Sequence, residues 1–399
     1  MEGPAPVTET TVTSPVQARP LDLLYGETET ELRGAVRSVL AAKAAWRDVL
    51  ARTETAQTYD EALWHALAAE VGVAGLLIPE ALGGAGASYR EAAVVAEEIG
   101  RAVAPVPFVG SAVVATTALL SVGDAQVLPQ LASGRVTAAL AVPFAAGPAG
   151  PGSRLAPTVR LDASQPGDPP GTYRLTGTVA GIADALPADV FLVPADGVPY
   201  GLYEVRAGDG IVKEAVVSLD QTRQLCDLTL NQAPGRQIAA DEAARRAIAA
   251  GLLAGAGLLA SEQLGIAERC LEMTLTYVKE RKQFARPVGG FQAIKHRLAD
   301  LWVLVTQARA AARAAADGLV TRPGAEAELL VALAKAACSD TALKAAQETI
   351  QLHGGIGFTW EHPAHLFFKR AKADSIGFGT ADAHRASLAR LADLPAPMP

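Results

Sequence analysis

The strongest constraint on what this chain can fold into is a change of text near Thr137. Upstream, "YDEALWHALAAEVG" and "YREAAVVAEEIGRAV" repeat apolar residues at the three- and four-residue spacing of amphipathic helices. Between them, Gly and Pro in "GVAGLLIPEALGGAGASY" supply a loop. Downstream come "AALAVPF", "TYRLTGTVAGI", "DVFLVPA", "GLYEVRAG", "IVKEAVVSL" and "CDLTLNQA". These are short runs with β-branched or aromatic residues, separated by Gly, Pro and Asp, and they predict strands. From Asp241 helical text returns and runs to about Leu391, interrupted by "TRPGAE" and "HGGIGFTWEHP". β text enclosed by helical text predicts an α+β fold in three units: helical over 21–135, β over 136–238 and helical over 239–395.

The remaining composition narrows the function. Half of the 399 residues are hydrophobic, enough to bury a sizeable core. Cys226, Cys270 and Cys338 are odd in number and widely spaced, so they read as buried thiols, not as a disulfide framework or zinc site. The six histidines form no metal-binding spacing, and the net charge of −7 argues against nucleic acid. Residues 1–20, "MEGPAPVTETTVTSPVQARP", lack the basic and apolar regions of a signal peptide and read as a disordered tail, which predicts a cytoplasmic protein. The most apolar run, "AIAAGLLAGAGLLA" at 247–260, is shorter than the roughly 20 residues of a membrane span and suits a buried helix.

Two stretches near the C-terminus differ from helical filler. "YVKERKQFARPVGGFQAIKHRLAD" places Arg281 near the end of one helix and Gln292 at the start of another, with a Pro-Gly-Gly break between. "IQLHGGIGFTWEHP" has paired glycines at a helix end. Spacing alone makes the first a helix–turn–helix corner with a solvated face and the second a Schellman cap.

Taken in order, "RKQF", "FQ", "QLHGGIG" and "FGT" resemble the acyl-CoA dehydrogenase family, which carries R-x-Q-F, F-Q, Q-x-x-G-G-x-G and E-G-T elements in that sequence. The "GVAGLLIPEALGGAG" loop and "EEIGR" resemble its N-terminal domain. The resemblance implies a helical N-terminal domain, a middle β-domain and a C-terminal four-helix bundle, assembled as a dimer of dimers with FAD between domains and subunits. It also implies α,β-dehydrogenation of an acyl-CoA thioester, in which a glutamate removes the α-proton and the β-hydrogen leaves as hydride to the flavin. Electrons then pass to an acceptor such as an electron-transfer flavoprotein. By resemblance, Arg281, Gln283, Phe284, Gln351, Gly354 and Gly355 hold the adenosine-diphosphate half of a neighbouring subunit's FAD, Gln292 is a further cofactor-binding residue, and Thr380 and Asp382 serve the chain's own FAD.

The departures sort by site. Phe378 stands where the family keeps its glutamate, and Gly255 stands at the alternative position on an earlier helix. Glu262, two turns further along that helix, reads as a surface residue. In the middle unit "AVPFAAGPAGPGS" replaces a T-E-P…G-S-D pattern, and Gly181, Ile182 and Ala183 replace an aromatic-Ile-Thr triplet that packs on the flavin. The chain's own flavin pocket therefore reads as degraded, whereas what it would lend a neighbour is kept. The resemblance points to the non-catalytic subunit of an actinobacterial α2β2 acyl-CoA dehydrogenase acting on sterol side-chain thioesters, with the base on a catalytic partner. Two other readings stay open: a self-sufficient enzyme using another carboxylate, such as Asp184 or Asp382, and a flavin-free scaffold or acyl-CoA-binding protein. Bulky Phe378 is also a candidate plug for the acyl cleft.

Overall fold

The computed structural model describes residues 19–57, 59–148, 156–322 and 324–394. The tail predicted over 1–20 falls outside these as far as residue 18.

The N-terminal part is helical: α1 (Glu27–Lys43), α2 (Trp46–Thr53), α3 (Glu61–Ala66), α4 (Tyr89–Ala102), α5 (Thr116–Val122) and α6 (Leu128–Ala132). A capping box starts α4: the Ser88 hydroxyl accepts from the Arg90 amide, and the Glu91 carboxylate accepts from the Ser88 amide at 2.8 Å. Its buried Glu97 and Glu98 pair with Arg33 and Arg37 of α1, so the two helices are joined by charge as well as by packing. The stretch between α3 and α4 forms two short 3-10 turns within the expected loop.

The middle part is one sheet of seven strands: β1 (Ala138–Leu140), β2 (Val159–Asp162), β3 (Thr172–Ala183), β4 (Val190–Ala195), β5 (Gly201–Arg206), β6 (Ile211–Val216) and β7 (Leu225–Ala240). Their order is β1-β4-β5-β7-β3-β2, with β6 also on β7. The 16-residue β7 carries β3 along one edge and shares its other edge between β6, at 225–230, and β5, at 235–240. Alternation along β3 and β7 sends Leu175, Val179, Leu228 and Leu230 into the sheet's own core.

The C-terminal part is a helical bundle in which α7 (Asp241–Glu280), α8 (Gln292–Thr321) and α9 (Ala325–His353) pack on one another, with α10 (Ala364–Asp374) against α9 and α7 and α11 (Ala381–Leu391) against α9. The apolar run at 247–260 belongs to a helix of 40 residues. By length and composition α7 is sufficient to cross a membrane, yet 83% of its most apolar window is buried inside the fold, as a core helix requires. Small residues set its fit against α4. A Cβ on Gly265 would lie 1.9 Å from the Glu97 carbonyl oxygen, and one on Gly100 would lie 2.1 Å from that of Glu262. The two helices therefore cross backbone against backbone, which no larger residue permits. All three cysteines are buried and free, as expected.

Two local expectations change. The α7–α8 connection is a β-hairpin, β8 (Lys282–Gln283) with β9 (Arg286–Pro287), instead of a plain helix–turn–helix corner. α9 ends at Gly354 with φ 62 and ψ −139, outside the left-handed helical conformation of a Schellman cap.

Candidate active-site centre and cofactor cradle

Phe378 lies in the loop between α10 and α11, 4% exposed and at φ 51. Two hydrogen bonds hold its backbone in that strained conformation: its amide donates to the Phe144 carbonyl at 2.7 Å, and its carbonyl accepts from His384 Nε2 at 2.8 Å. Its ring meets that of Phe144 edge-to-face, with centroids 5.3 Å apart. Gly255 sits opposite, in the middle of α7. A Cβ there would lie 3.0 Å from Phe378 Cζ and 2.7 Å from Val114 Cγ2. The two positions singled out from sequence thus converge on one point, and Phe378, Phe144 and Val114 fill it with hydrocarbon. Phe144 was missed as a functional residue. It comes from the "AVPFAAGPAGPGS" stretch, and a Cβ on Gly377 would collide with its ring at 2.2 Å.

Gly181–Ala183 flank this packing on β3. The Gly181 amide donates to Asp227 Oδ1 at 2.7 Å, and its carbonyl accepts from the Phe144 amide at 2.8 Å. Ile182 is buried in the sheet core. Beside them a cavity of about 160 Å³ remains, walled by Phe144, Arg223, Leu225, Ala373 and Ile376. Residues 149–155, which include the G-S-D counterpart, lie outside the described ones.

Behind this point lies a buried ion cluster that corrects the surface reading of Glu262. Glu262 is fully buried, because Arg223 from the loop before β7 and Arg370 from α10 converge on it. Arg223 Nη2 contacts both of its carboxylate oxygens at 2.7 Å, and Arg370 Nε contacts Oε1 at 2.7 Å. Burial opposes ionisation of Glu262, but the two guanidinium groups outweigh it and hold the carboxyl below its ordinary value. Asp374, 3.3 Å from Arg223 Nε, is pushed up to about 7 by burial and by the charge on Glu262. Lys335 donates to the Asp374 carbonyl at 2.9 Å, closing the C-terminal end of α10 just before the Phe378 loop. Asp184 is also buried; it accepts from the Gly110 amide at 2.9 Å and lies 3.9 Å from Arg223. Asp382 is on the surface, paired with Arg385 at 2.8 Å. Thr380 caps α11, its hydroxyl accepting from the Ala383 amide.

The residues expected to serve a neighbour's cofactor have the opposite character. Tyr277 near the end of α7 stacks on His353 at the end of α9, with centroids 4.3 Å apart, so the hairpin after Tyr277 and the turn after His353 occupy one end of the bundle. Arg281, Gln283, Phe284, Gln292, Gln351, Gly354 and Gly355 are all exposed there. Phe284 is 85% exposed, and it forms with Ala285 a two-residue turn at φ 51 and 60, a strained position for an L-residue. Arg286 lies over the Phe291 ring at 3.9 Å, and Phe284 meets that ring edge-on, so the hairpin presents a fixed aromatic and cationic surface. No atom lies within 4 Å of a Cβ built on Gly354 or Gly355, so their backbone is open to close approach. Open glycine backbone, the exposed Arg281 guanidinium, which pairs with no carboxylate among the described residues, and an exposed ring suit the diphosphate and adenosine of a dinucleotide.

A helical N-terminal part, a central sheet and a C-terminal bundle define a flavoprotein-dehydrogenase fold. Residues 26–135 match the acyl-CoA dehydrogenase N-terminal domain, and residues 244–392 match the acyl-CoA dehydrogenase C-terminal domain. The acyl-CoA dehydrogenase IpdE2 of Mycobacterium tuberculosis is 36% identical over 85% of this chain and 89% of its own length. FadE27 of the same organism is 31% identical over 94% of this chain and its full length. Among solved structures, the ChsE4-ChsE5 complex from Mycobacterium tuberculosis superimposes with a TM-score of 0.80, at 28% identity over 94% of this chain and 100% of that one. A steroid ACAD, Tcur3481-Tcur3483, matches at 0.80 and 31% identity over 92% of this chain and 98% of that one. The chain belongs to the acyl-CoA dehydrogenase family.

Proposed function

We propose that this chain is the non-catalytic subunit of an α2β2 acyl-CoA dehydrogenase and completes the FAD site of a base-carrying partner of the same family. One observation carries this reading: the two positions for a base face a single point, and Phe378 and Phe144 pack it closed. A buried carboxylate has no place in such surroundings without donors. The three units are taken as 21–135, 136–238 and 239–395.

When bound in the partner, FAD supplies the hydride acceptor for α,β-desaturation of an acyl-CoA, and the partner's glutamate takes the α-proton. This chain contributes only recognition. Arg281 offers a fork of donors to diphosphate, Gly354 and Gly355 allow the cofactor to approach the backbone, and Phe284 and Gln351 bound the adenosine. Both structural matches are named for paired components, ChsE4-ChsE5 and Tcur3481-Tcur3483, which supports a hetero-oligomer, and the name of the second as a steroid ACAD supports a bulky sterol side-chain thioester as substrate. A cytoplasmic location and an electron-transfer flavoprotein as acceptor complete the reading.

The test is an Arg281→Ala substitution in the co-expressed complex. A lent diphosphate site predicts at least a tenfold loss of FAD affinity, since a charge-assisted contact contributes about 1.5–3 kcal/mol. Unchanged FAD content after dilution would mean that this surface does not touch the cofactor.

A further inference from the structure

We propose that the turn carrying Gly354 and Gly355 is an acid-sensitive clasp: His353, His362 and His365 hold it closed while neutral, and their protonation opens it. The clasp stands on its own geometry, and only its effect on a cofactor rests on the partner-subunit reading.

Three of the chain's six histidines fall within residues 353–365, around the turn that joins α9 to α10. His353 ends α9. A carbonyl can only accept, so the His353 Nδ1–H donates to the Thr349 carbonyl at 2.7 Å. The same ring packs on Tyr277 of α7 and on His362 beyond the turn, with centroids 4.3 and 4.2 Å away. His362 Nδ1 accepts from the Ala364 amide at 3.2 Å, which ties it to the start of α10. In the first turn of α10, His365 meets Trp360 edge to face at 4.6 Å, and the Lys369 ammonium lies over the same indole at 4.4 Å. Imidazole rings therefore pin both ends of the 354–363 segment.

Nothing near these rings compensates a positive charge. Among the described residues, no carboxylate forms an ion pair with any of the three, and the charged or titratable groups facing them are one another and Lys369. Neither ring nitrogen of His365 has a hydrogen-bond partner among the described residues. His362 and His365 also flank the N-terminus of α10, whose dipole disfavours a cation. Burial, followed by the neighbouring imidazoles for His362 and by Lys369 for His365, pushes both down to about 4. Burial lowers His353 as well, against the opposing effect of the Thr349 bond. An opened turn returns each ring to water and to its ordinary value of 6.5. A histidine with a lower pKa in the closed form favours the open form once protonated. The clasp is thus fully held above about pH 6.5 and weakens as pH falls toward 4. Relative to pH 8, the closed turn at pH 5 is disfavoured about 30-fold for each of His362 and His365.

The experiment follows hydrogen exchange in the full-length chain from pH 7.5 to 5, corrected for intrinsic rates, and compares residues 354–363 with α9. The double variant His362→Phe/His365→Phe keeps the rings and removes the titrating nitrogens. The wild type is expected to lose protection in 354–363 by at least about tenfold with α9 unchanged, while the variant keeps it. No loss in the wild type, or an equal loss in the variant, overturns the clasp. Imidazole NMR titration of the unaltered chain tests it without any substitution. Half-protonation of His362 and His365 below about pH 5 supports the clasp, and titration of both near 6.5 overturns it. FAD content of the complex co-expressed with a base-carrying family member separates the two claims. Acid release of FAD from the wild type and not from the variant joins the clasp to the cofactor. An opened turn with FAD retained leaves the clasp standing and removes Gly354 and Gly355 from the cofactor surface of the partner-subunit reading.

Discussion

A phenylalanine at 378 does more than fail to accept a proton. Its ring occupies the space that a side chain on Gly255 would need, and it locks Phe144 over Gly377. Phe378→Ala should therefore open a cavity and cost about 3 kcal/mol, at the low end for truncating a buried aromatic, read as a fall in urea midpoint with unchanged slope. A loss below about 1 kcal/mol would mean that the ring borders an open cleft and plugs nothing. At this scale the sequence was only half legible. The resemblance marked 378 and 255 as the two positions for a base, and the structure brings them together. Phe144 gave no such signal, because a lost motif shows what is absent and not which neighbour moves in. Glu262 was misread for a related reason. Its partners lie 39 and 108 residues away in the chain, and burial by distant arginines leaves no local pattern.

Among the elements, the loop before β7, the middle of α7 and the end of α10 meet in the Arg223–Glu262–Arg370–Asp374 cluster. This junction fixes the end of α10 and with it the Phe378 loop. It also links stability to pH. Asp374 has its folded pKa raised to about 7, against about 3.9 in an unfolded chain. The folded state thus holds the proton more tightly, and stability from this group is full below about pH 4 and is lost as pH rises toward 7. Glu262, with its pKa lowered, has the opposite sign: its contribution is lost as pH falls through its folded value. An Asp374→Asn variant should remove the decline between about pH 4 and 7, on the order of a few kcal/mol, from the stability-versus-pH curve. The measurement is urea unfolding at a series of pH values. A variant curve parallel to the wild type across that range would show that Asp374 is ionised throughout and that the cluster is held differently. The hairpin of 282–287 was likewise hidden in the sequence, since Phe-Ala at its turn lacks the Asn-Gly chemistry that marks such turns.

Across the whole molecule, the order helix, strand, helix was legible because periodicity changes with secondary structure, and the chain obeys it from α1 to α11. The long apolar α7 shows the limit of composition: it has the length and hydropathy of a membrane span and the burial of a core helix. The chain as a whole pairs a closed centre with an open edge. The two positions expected for a base are packed with phenylalanine, and the residues expected to face a cofactor are exposed at the end of the bundle. The most direct test is the ratio of FAD to protein by absorbance, for the chain purified alone and for the complex with a base-carrying family member. The expected values are close to zero for the chain alone and one FAD per pair of chains in the complex, with acyl-CoA oxidation only in the latter. One FAD bound per chain in isolation, with turnover of an acyl-CoA, would contradict the account and require a working base within this chain.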